Sequence, residues 1–130
     1  MGAGIAQVAA QAGFQTLVYD VKQEFIDTGL NRVKTFLKGS RERGKLSAEQ
    51  EKEILDRFST STMLEDCSGS ALVIEAAPEK LDLKRDIFKQ LDAICAPETL
   101  LASNTSSFSV TAIAASTQHQ ERVLGLHFFN

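Results

Sequence analysis

Hydrophobic and polar positions follow a helical period at the start of the chain and then a strand-like run. Residues 2–12 (GAGIAQVAAQA) are small and apolar at helical spacing, and Gly13 ends the predicted helix. The pattern places four residues on its apolar face: Ile5, Val8, Ala9 and Ala12. Residues 16–19 form a short β-branched and apolar run, typical of a buried strand in a parallel sheet. This strand presents Asp20 at its carboxyl end.

A helical hairpin is predicted around residues 22–58. Apolar residues recur there at spacings of four, three and four, which indicates an amphipathic helix: Ile26, Leu30, Val33 and Leu37. Gly39 and Gly44 are expected to end this helix. Ser47, with Gln50 three residues later, forms a capping-box pattern that opens the next helix. Its predicted apolar contacts are Ile54, Leu55 and Phe58.

The second half of the chain alternates strands and helices. Strands are predicted at residues 71–74, 99–102 and 123–128, and helices at residues 82–95 and 110–115. The long helix is expected to turn three residues inward: Ile87, Leu91 and Ile94. Strands separated by helices imply parallel βαβ units with right-handed crossovers. The sequence therefore predicts an α/β fold, a Rossmann-like open and mostly parallel sheet with helices on both faces.

Polar residues follow each predicted strand, where ligands bind in this architecture. They are Asp20, the loops at residues 75–79 and 103–107, and His127. We therefore expect a binding site at the carboxyl edge of the sheet.

Charge is nearly balanced except in one segment. The 130 residues are 43% hydrophobic and carry a formal net charge of -3, so we expect a single globular domain with no overall attraction to nucleic acid or to a membrane surface. Basic residues concentrate between residues 30 and 45: Arg32, Lys34, Lys38, Arg41, Arg43 and Lys45. Such a helix face is usually solvated surface, and a contact with phosphate groups is the alternative.

The two cysteines, Cys67 and Cys95, belong to no CxxC or Cys/His cluster. This argues against a metal site and against a disulfide framework. Free thiols in a reducing compartment are the favoured interpretation, which points to the cytoplasm, with the mitochondrial matrix as the alternative. No apolar run approaches the roughly 20 residues of a membrane span, and no signal peptide is visible.

The start of the chain matches part of a dinucleotide-binding fingerprint. That fingerprint has a strand, a Gly-x-Gly-x-x-Gly turn, a helix whose first turn faces the pyrophosphate, and an acid about 20 residues later. Gly2 corresponds to the third glycine, and Asp20 to the acid that binds ribose hydroxyls, which favours NAD over NADP. The first strand and the first two glycines are missing from this sequence. Plain packing of a small-residue helix is the competing interpretation.

Two motifs near the end of the sequence carry a more specific resemblance. Ser103-Asn104-Thr105-Ser106-Ser107, followed by Leu126-His127-Phe128-Phe129-Asn130, resembles the paired loops of the 3-hydroxyacyl-CoA dehydrogenase family. Further segments look like that family's pattern in its order: residues 1–6, Asp20, residues 44–46, residues 73–79 and residues 83–84. The resemblance covers essentially the whole chain.

The resemblance implies NAD-dependent oxidation of 3-hydroxyacyl-CoA to 3-ketoacyl-CoA. His127 matches the catalytic histidine, which takes the proton from the 3-hydroxyl while hydride leaves C3 for the nicotinamide. An imidazole suits this task because its unperturbed pKa of about 6.5 lies near working pH. Ser106 matches the serine that hydrogen-bonds the reacting oxygen beside the nicotinamide. Asn130 and Asn104 are assigned supporting polar roles, Asn130 with the catalytic group and Asn104 at the cofactor.

The resemblance also implies further binding contacts. Ala77, Glu79 and Lys84 match positions near the cofactor, and Arg43 falls where the family places a basic contact to the CoA phosphates. Simpler roles compete with these: His127 as a structural histidine, and Ser106 as the cap of the following helix, for which Ser109 is at least as good a candidate. His119 is expected to be exposed and uninvolved.

Residues 1–130 are expected to be an incomplete NAD-binding domain. The glutamate that orients the catalytic histidine in this family, and the helical domain that covers the acyl chain and forms the homodimer, are expected beyond residue 130. The chain alone is therefore expected to have little or no activity. The alternative from another class is a non-catalytic, dehydrogenase-like binding or structural protein. The sequence leaves the preferred acyl-chain length open.

Overall fold

The computed structural model describes residues 1–129 and has the predicted α/β architecture, with every strand pair parallel. It divides into two compact units, Met1–Met63 and a second that begins at Leu64. No described helix is both long and apolar enough to cross a membrane.

The first unit has three helices and two strands: α1 (Gly2–Gln11), β1 (Thr16–Tyr19), α2 (Gln23–Glu42), α3 (Ala48–Asp56) and β2 (Phe58–Ser61). Strand β1 pairs with β2, and Thr16 lies opposite Phe58. The core of this unit lies where the three helices meet, and its buried residues are Ala10, Val33, Leu37 and Ile54.

Helix α2 continues past one of the glycines predicted to end it. Gly39 lies inside the helix, and Gly44, with a φ of 74°, follows its end. The predicted capping box of α3 is confirmed: the Ser47 hydroxyl accepts a hydrogen bond from the Gln50 amide, and the Gln50 side chain accepts one from the Ser47 amide.

Two predictions for the first unit are wrong. Helix α1 buries Ile5, Ala6 and Ala10, whereas Val8 is 53% exposed. Apart from Gln7 and Gln11, the residues around Ile5 and Val8 are alanine and glycine, so several helix faces are almost equally apolar and the hydrophobic period does not distinguish among them. Strand β2 was not predicted, because three of its four residues are Ser or Thr, and Phe58 begins this strand instead of ending a helix.

The second unit contains a three-stranded sheet: β3 (Leu72–Glu75), β4 (Leu100–Ser103) and β5 (Val123–Gly125), paired in chain order. Helix α4 (Leu81–Ile94) connects β3 to β4, and helix α5 (Val110–Ala114) lies between β4 and β5. Short 3₁₀ segments at Leu64–Gly69 and Gln120–Arg122 precede β3 and β5. The most deeply buried apolar residues are Phe88, Leu91, Leu101, Ala102 and Ile113.

The inward face of helix α4 is only partly the predicted one, with Leu91 buried as predicted. Its buried residues are Lys84, Phe88, Leu91 and Asp92, while Ile87 and Ile94 are only partly buried. Two charged residues therefore occupy positions that a hydrophobic pattern assigns to apolar ones.

Both cysteines are free and buried. Burial raises the pKa of the Cys67 thiol to about 11 and also raises that of Cys95. Both thiols are therefore protonated at neutral pH and poor nucleophiles.

Candidate active site

In the first unit, a carboxylate and the start of a helix lie at the same end of a strand. Asp20 follows β1 directly, and its Oδ1 accepts a hydrogen bond from the Val21 amide at 2.7 Å. After α1 the chain reverses direction through residues 12–15, and α1 packs against β1. The first turn of α1 therefore lies toward the end of β1 that carries Asp20.

The first turn of α1 carries little side-chain bulk. Gly2 is its first residue, Met1 caps it without a side-chain hydrogen bond, and a Cβ added to Gly4 would meet no atom within 4 Å. Free helix amides favour an anion, and a carboxylate accepts bonds from ribose hydroxyls. The residues present therefore fit the pyrophosphate and adenosine ribose of NAD.

Arg43 follows the end of α2 in the same unit. Its guanidinium lies over Gly39, where an added Cβ would be 3.0 Å from Nη1, and its Nη2 is 3.5 Å from the Ser40 hydroxyl. The neighbouring Arg41 is engaged in an ion pair with Glu51. Arg43 is exposed, as a contact with solvent-borne phosphates requires.

In the second unit, a buried ion pair lies where β3 and β4 end. Glu75 and Ser103 are the last residues of these strands and are paired in register. The Ser103 hydroxyl donates to Glu75 Oε2 at 2.6 Å, while Glu75 Oε1 accepts from Lys84 Nζ at 2.7 Å and from the Ala77 amide at 2.6 Å. The side chains of Glu75 and Lys84 are each 1% exposed. This pair ties both strands to the first turn of α4.

Lys84 extends the network toward the surface. Its ammonium group also donates to the Ala77 carbonyl at 3.2 Å and lies 3.0 Å from Glu79 Oε1. An ammonium group has three protons, and these three oxygens can accept all of them. Lys84 thus binds the loop that carries Ala77 and Glu79 on its buried side.

Glu79 binds the loop at residues 104–107, the serine-rich loop that follows β4. Its Oε2 accepts hydrogen bonds from the hydroxyls of Thr105 and Ser107 and from the amides of Ser106 and Ser107. The hydrogen bond from Ser107 is the main cause that lowers the pKa of Glu79 to about 2; Lys84 and Thr105 add to this effect, and desolvation opposes it. Glu79 is therefore ionised at neutral pH and fixes the backbone at Ser106.

The segment that carries His127 is joined to the segment before Ser106. The Leu126 amide donates to the Ser103 carbonyl at 2.9 Å, and the Phe128 amide donates to Asn104 Oδ1 at 2.7 Å. These two bonds lie on either side of His127. They also explain why the strand predicted to reach Phe128 ends at Gly125, since the second bond goes to a side chain and not to the strand ladder.

Both candidate catalytic side chains are accessible. His127 and Ser106 are exposed, and the His127 ring lies 4.5 Å from the ring of Phe129, centroid to centroid. Ser109, and not Ser106, caps α5 by accepting a hydrogen bond from the Ala112 amide. The competing cap role is thus filled by another residue.

The structure brings one group of predicted site residues together at the carboxyl ends of β3, β4 and β5: Ala77, Glu79, Lys84, Asn104, Ser106 and His127. Gly2, Asp20 and Arg43 belong to the first unit, and Asn130 lies outside the described residues. Sequence reasoning placed Glu75, Ser103 and Ser107 in the loops at this edge but assigned none of them a role. An acid that directly continues the apolar run of a buried strand was the available signal for Glu75.

A second buried charge cluster lies at the opposite end of the same sheet. Arg122, just before β5, donates from Nη2 to Asp92 Oδ1 at 2.7 Å and to the Asp92 carbonyl at 2.8 Å, and from Nη1 to the carbonyls of Ala96 and Thr99. The Gln118 amide donates to Asp92 Oδ2. Burial alone would raise the pKa of Asp92, but the bonds from Arg122 and Gln118 lower it below its usual value.

His119, expected to be exposed and uninvolved in the site, is partly exposed and contacts the cluster at the amino end of the sheet. Its Nδ1 lies 3.1 Å from Asp92 Oδ1, and its side chain is 44% exposed. Its partner lies 27 residues away in the sequence, so the polar neighbours of His119 gave no sign of it.

Comparison with known proteins gives full-length matches. A family model described as "3-hydroxyacyl-CoA dehydrogenase, NAD binding domain" matches residues 1–130. The chain is 47% identical over 130 residues to a probable 3-hydroxybutyryl-CoA dehydrogenase of Bacillus subtilis, which it covers to 45%. It is also 47% identical to a 3-hydroxyadipyl-CoA dehydrogenase of Escherichia coli, which it covers to 27%.

Solved structures agree with these sequence matches. A 3-hydroxybutyryl-CoA dehydrogenase from Escherichia coli K12 superposes over the whole chain with a TM-score of 0.98 at 47% identity, and the match covers 28% of that protein. The chain thus spans less than half the length of these relatives. The predicted cofactor is confirmed for the domain, because the matching family model is that of an NAD-binding domain.

Proposed function

The chain belongs to the 3-hydroxyacyl-CoA dehydrogenase family, and on that basis we propose that the whole protein oxidises 3-hydroxyacyl-CoA to 3-ketoacyl-CoA with NAD. One observation carries the proposal. The hydrogen bonds on either side of His127 join its segment to Ser103 and Asn104, so the accessible imidazole and the accessible Ser106 hydroxyl come from connected loops.

His127 is the general base of this proposal. Bound NAD would supply the acceptor for the hydride from C3 of the substrate. His127 takes the proton of the 3-hydroxyl group, and Ser106 donates a hydrogen bond to the same oxygen as it becomes a carbonyl. In the reverse direction the imidazolium returns the proton, which an imidazole can do near neutral pH. Asn130 is assigned to the same catalytic group.

The remaining assignments divide between the two ends of the cofactor. Asp20 holds the adenosine ribose, and the first turn of α1 at Gly2 receives the pyrophosphate. Ala77, Glu79 and Asn104 line the nicotinamide end, and Lys84 fixes the loop that carries Ala77 and Glu79.

Substrate binding and assembly complete the proposal. Arg43 contacts the CoA phosphates, for which an exposed guanidinium can form paired hydrogen bonds. The chain covers less than half of the length of its relatives. We assign the acyl-chain site and a homodimer interface to the part of the full-length protein that corresponds to the rest of those relatives. The protein is assigned to the cytoplasm, in keeping with its two free thiols.

NADH formation from (S)-3-hydroxybutyryl-CoA tests the proposal, measured by absorbance with the full-length protein. We expect turnover in the wild type, and we expect His127→Gln to lower kcat by at least about a hundredfold, the lower range of a general-base contribution. Because His127 is exposed and lies outside the buried core, CoA-ester affinity and thermal stability should change little.

Three other results would count against the proposal. An inactive wild type that still binds NADH would favour the non-catalytic alternative. Absence of both binding and turnover would reject the dehydrogenase assignment. An undiminished rate in His127→Gln would remove His127 from the mechanism.

A further inference from the structure

The buried carboxylate of Glu75 has no role in the proposed mechanism. Its side chain is 1% exposed, and both of its oxygens are engaged: Oε1 with Lys84 and the Ala77 amide, Oε2 with the Ser103 hydroxyl. A group enclosed in this way cannot touch a cofactor or a substrate. Whatever Glu75 contributes, it contributes through the residues it holds.

One branch from Glu75 leads to the loop at residues 76–79. Glu75 fixes the Ala77 amide directly, and it orients the ammonium group of Lys84. Lys84 in turn lies 3.0 Å from Glu79 Oε1. Glu79 then holds Ser106 and Ser107 through its other oxygen.

A second branch leads to the loop at residues 104–107. The Ser103 hydroxyl, which donates to Glu75, accepts a hydrogen bond from the Thr105 amide at 3.2 Å. The Glu75 carbonyl accepts one from the Asn104 amide at 2.9 Å. Both branches therefore converge on the backbone around Ser106.

We propose that Glu75 is a positioning residue, which gives the loops at residues 76–79 and 104–107 the shape that receives the nicotinamide end of the cofactor. The identity of that ligand rests on the proposed function, whereas the connection between Glu75 and the two loops does not. A buried ion pair is often no more stabilising than an apolar pair of similar size. Its value at this place lies in the geometry that it imposes on both loops.

Glu75→Gln is the test variant, and Asp92→Asn is its matched control. Each substitution converts a buried carboxylate into an amide of the same shape, one at each end of the sheet. Glu75→Gln also replaces the oxygen that faces Ser103 or Lys84 with an NH₂ group. Ser103→Ala removes only the side-chain link of the second branch and leaves the bond from the Asn104 amide to the Glu75 carbonyl in place.

NADH affinity is measured first, by fluorescence titration of the full-length protein. We expect Glu75→Gln to weaken binding about tenfold, equivalent to about 1.4 kcal/mol, and Ser103→Ala to weaken it by a smaller factor. Asp92→Asn should bind NADH within about twofold of the wild type at a temperature where it is folded. Wild-type affinity in Glu75→Gln, or an equal loss in Asp92→Asn, would overturn the proposal.

Amide hydrogen exchange provides a second measurement that needs no cofactor. We expect the amides of Ala77, Thr105, Ser106 and Ser107 to exchange about tenfold faster in Glu75→Gln, relative to the amides of β4 in the same protein, because local opening is measured separately from global unfolding. In Asp92→Asn that ratio should stay at its wild-type value. Unchanged loop exchange in Glu75→Gln would reject the positioning role. A wild type that fails to bind NADH would reject the proposed function and leave the exchange result to decide on Glu75.

Discussion

The two ends of the three-stranded sheet each carry a buried charge cluster, and the two clusters differ in where their hydrogen bonds lead. At the carboxyl end, the pair of Glu75 and Lys84 continues through Glu79 into exposed loops that carry Ser106. At the amino end, Asp92 and Arg122 bind mostly each other, the Gln118 amide and main-chain carbonyls. The hydrogen bonds of the first cluster lead to exposed loops, whereas those of the second stay mostly within the buried cluster, with the partly exposed His119 as the exception. Burial of charge therefore does not by itself identify a functional site; the direction in which its hydrogen bonds lead is more informative.

The largest effect that separates the two clusters is expected from Lys84→Met. This change keeps the length of the side chain but leaves the Glu75 carboxylate buried without its cation, which should lower the free energy of unfolding by about 3–5 kcal/mol. Glu79 also loses its ion-pair partner, so NADH affinity should fall as well. Urea unfolding and NADH titration measure the two effects. A loss of stability with intact NADH affinity would show that the carboxyl-end cluster is merely structural.

Arg122→Met is the counterpart at the amino end and should have a smaller effect. Asp92 keeps the Gln118 amide and His119 as partners, so we expect a loss at the lower end of that range, about 3 kcal/mol. NADH affinity of the folded protein should be unchanged, since none of the bonds of Arg122 reaches the loops. Weakened binding in the folded variant would contradict the separation of the two ends.

The smallest expected effect is local and depends on pH. The pKa of Glu79 is lowered to about 2. The stabilisation that its hydrogen bonds give the serine-rich loop is therefore complete above the ordinary glutamate pKa of about 4.3, and it is lost as pH falls toward 2. Exchange at the Ser106 and Ser107 amides, corrected for the intrinsic pH dependence of exchange, should therefore accelerate only below about pH 4. The variant Glu79→Gln should have fast exchange at all these pH values. A transition centred near pH 4.3 in the wild type would contradict the described contacts.

The sequence predicted the parts of the fold that depend on local chemistry. Strand β1 has the predicted bounds, Ser47 and Ser109 cap helices through their own hydroxyls, and a polar loop follows β4 as expected, although Ser103 still belongs to the strand. Caps and short apolar strands are determined by neighbours in the sequence, which explains this agreement.

The parts that could not be predicted depend on distant partners. Lys84 and Asp92 lie in the core because each has a buried ion-pair partner there. Those partners are 9 and 30 residues away in the sequence. A hydrophobic pattern does not include such partners, so it assigns every charge to the surface. Strand β2 is mostly Ser and Thr and forms by pairing with β1. Three-dimensional pairing, and not composition, determines both features.

Helix α4 joins the two clusters, because Lys84 lies in its first half and Asp92 near its end. Its attachments to the sheet are desolvated, and dissolved ions screen buried charges far less than exposed ones such as the pair of Lys52 and Asp56. The loops that this helix binds through Lys84 should therefore keep their shape in concentrated salt. Ionic strength should act on this protein mainly through its outer charges, among them Arg43, and hardly through the framework beneath the serine-rich loop.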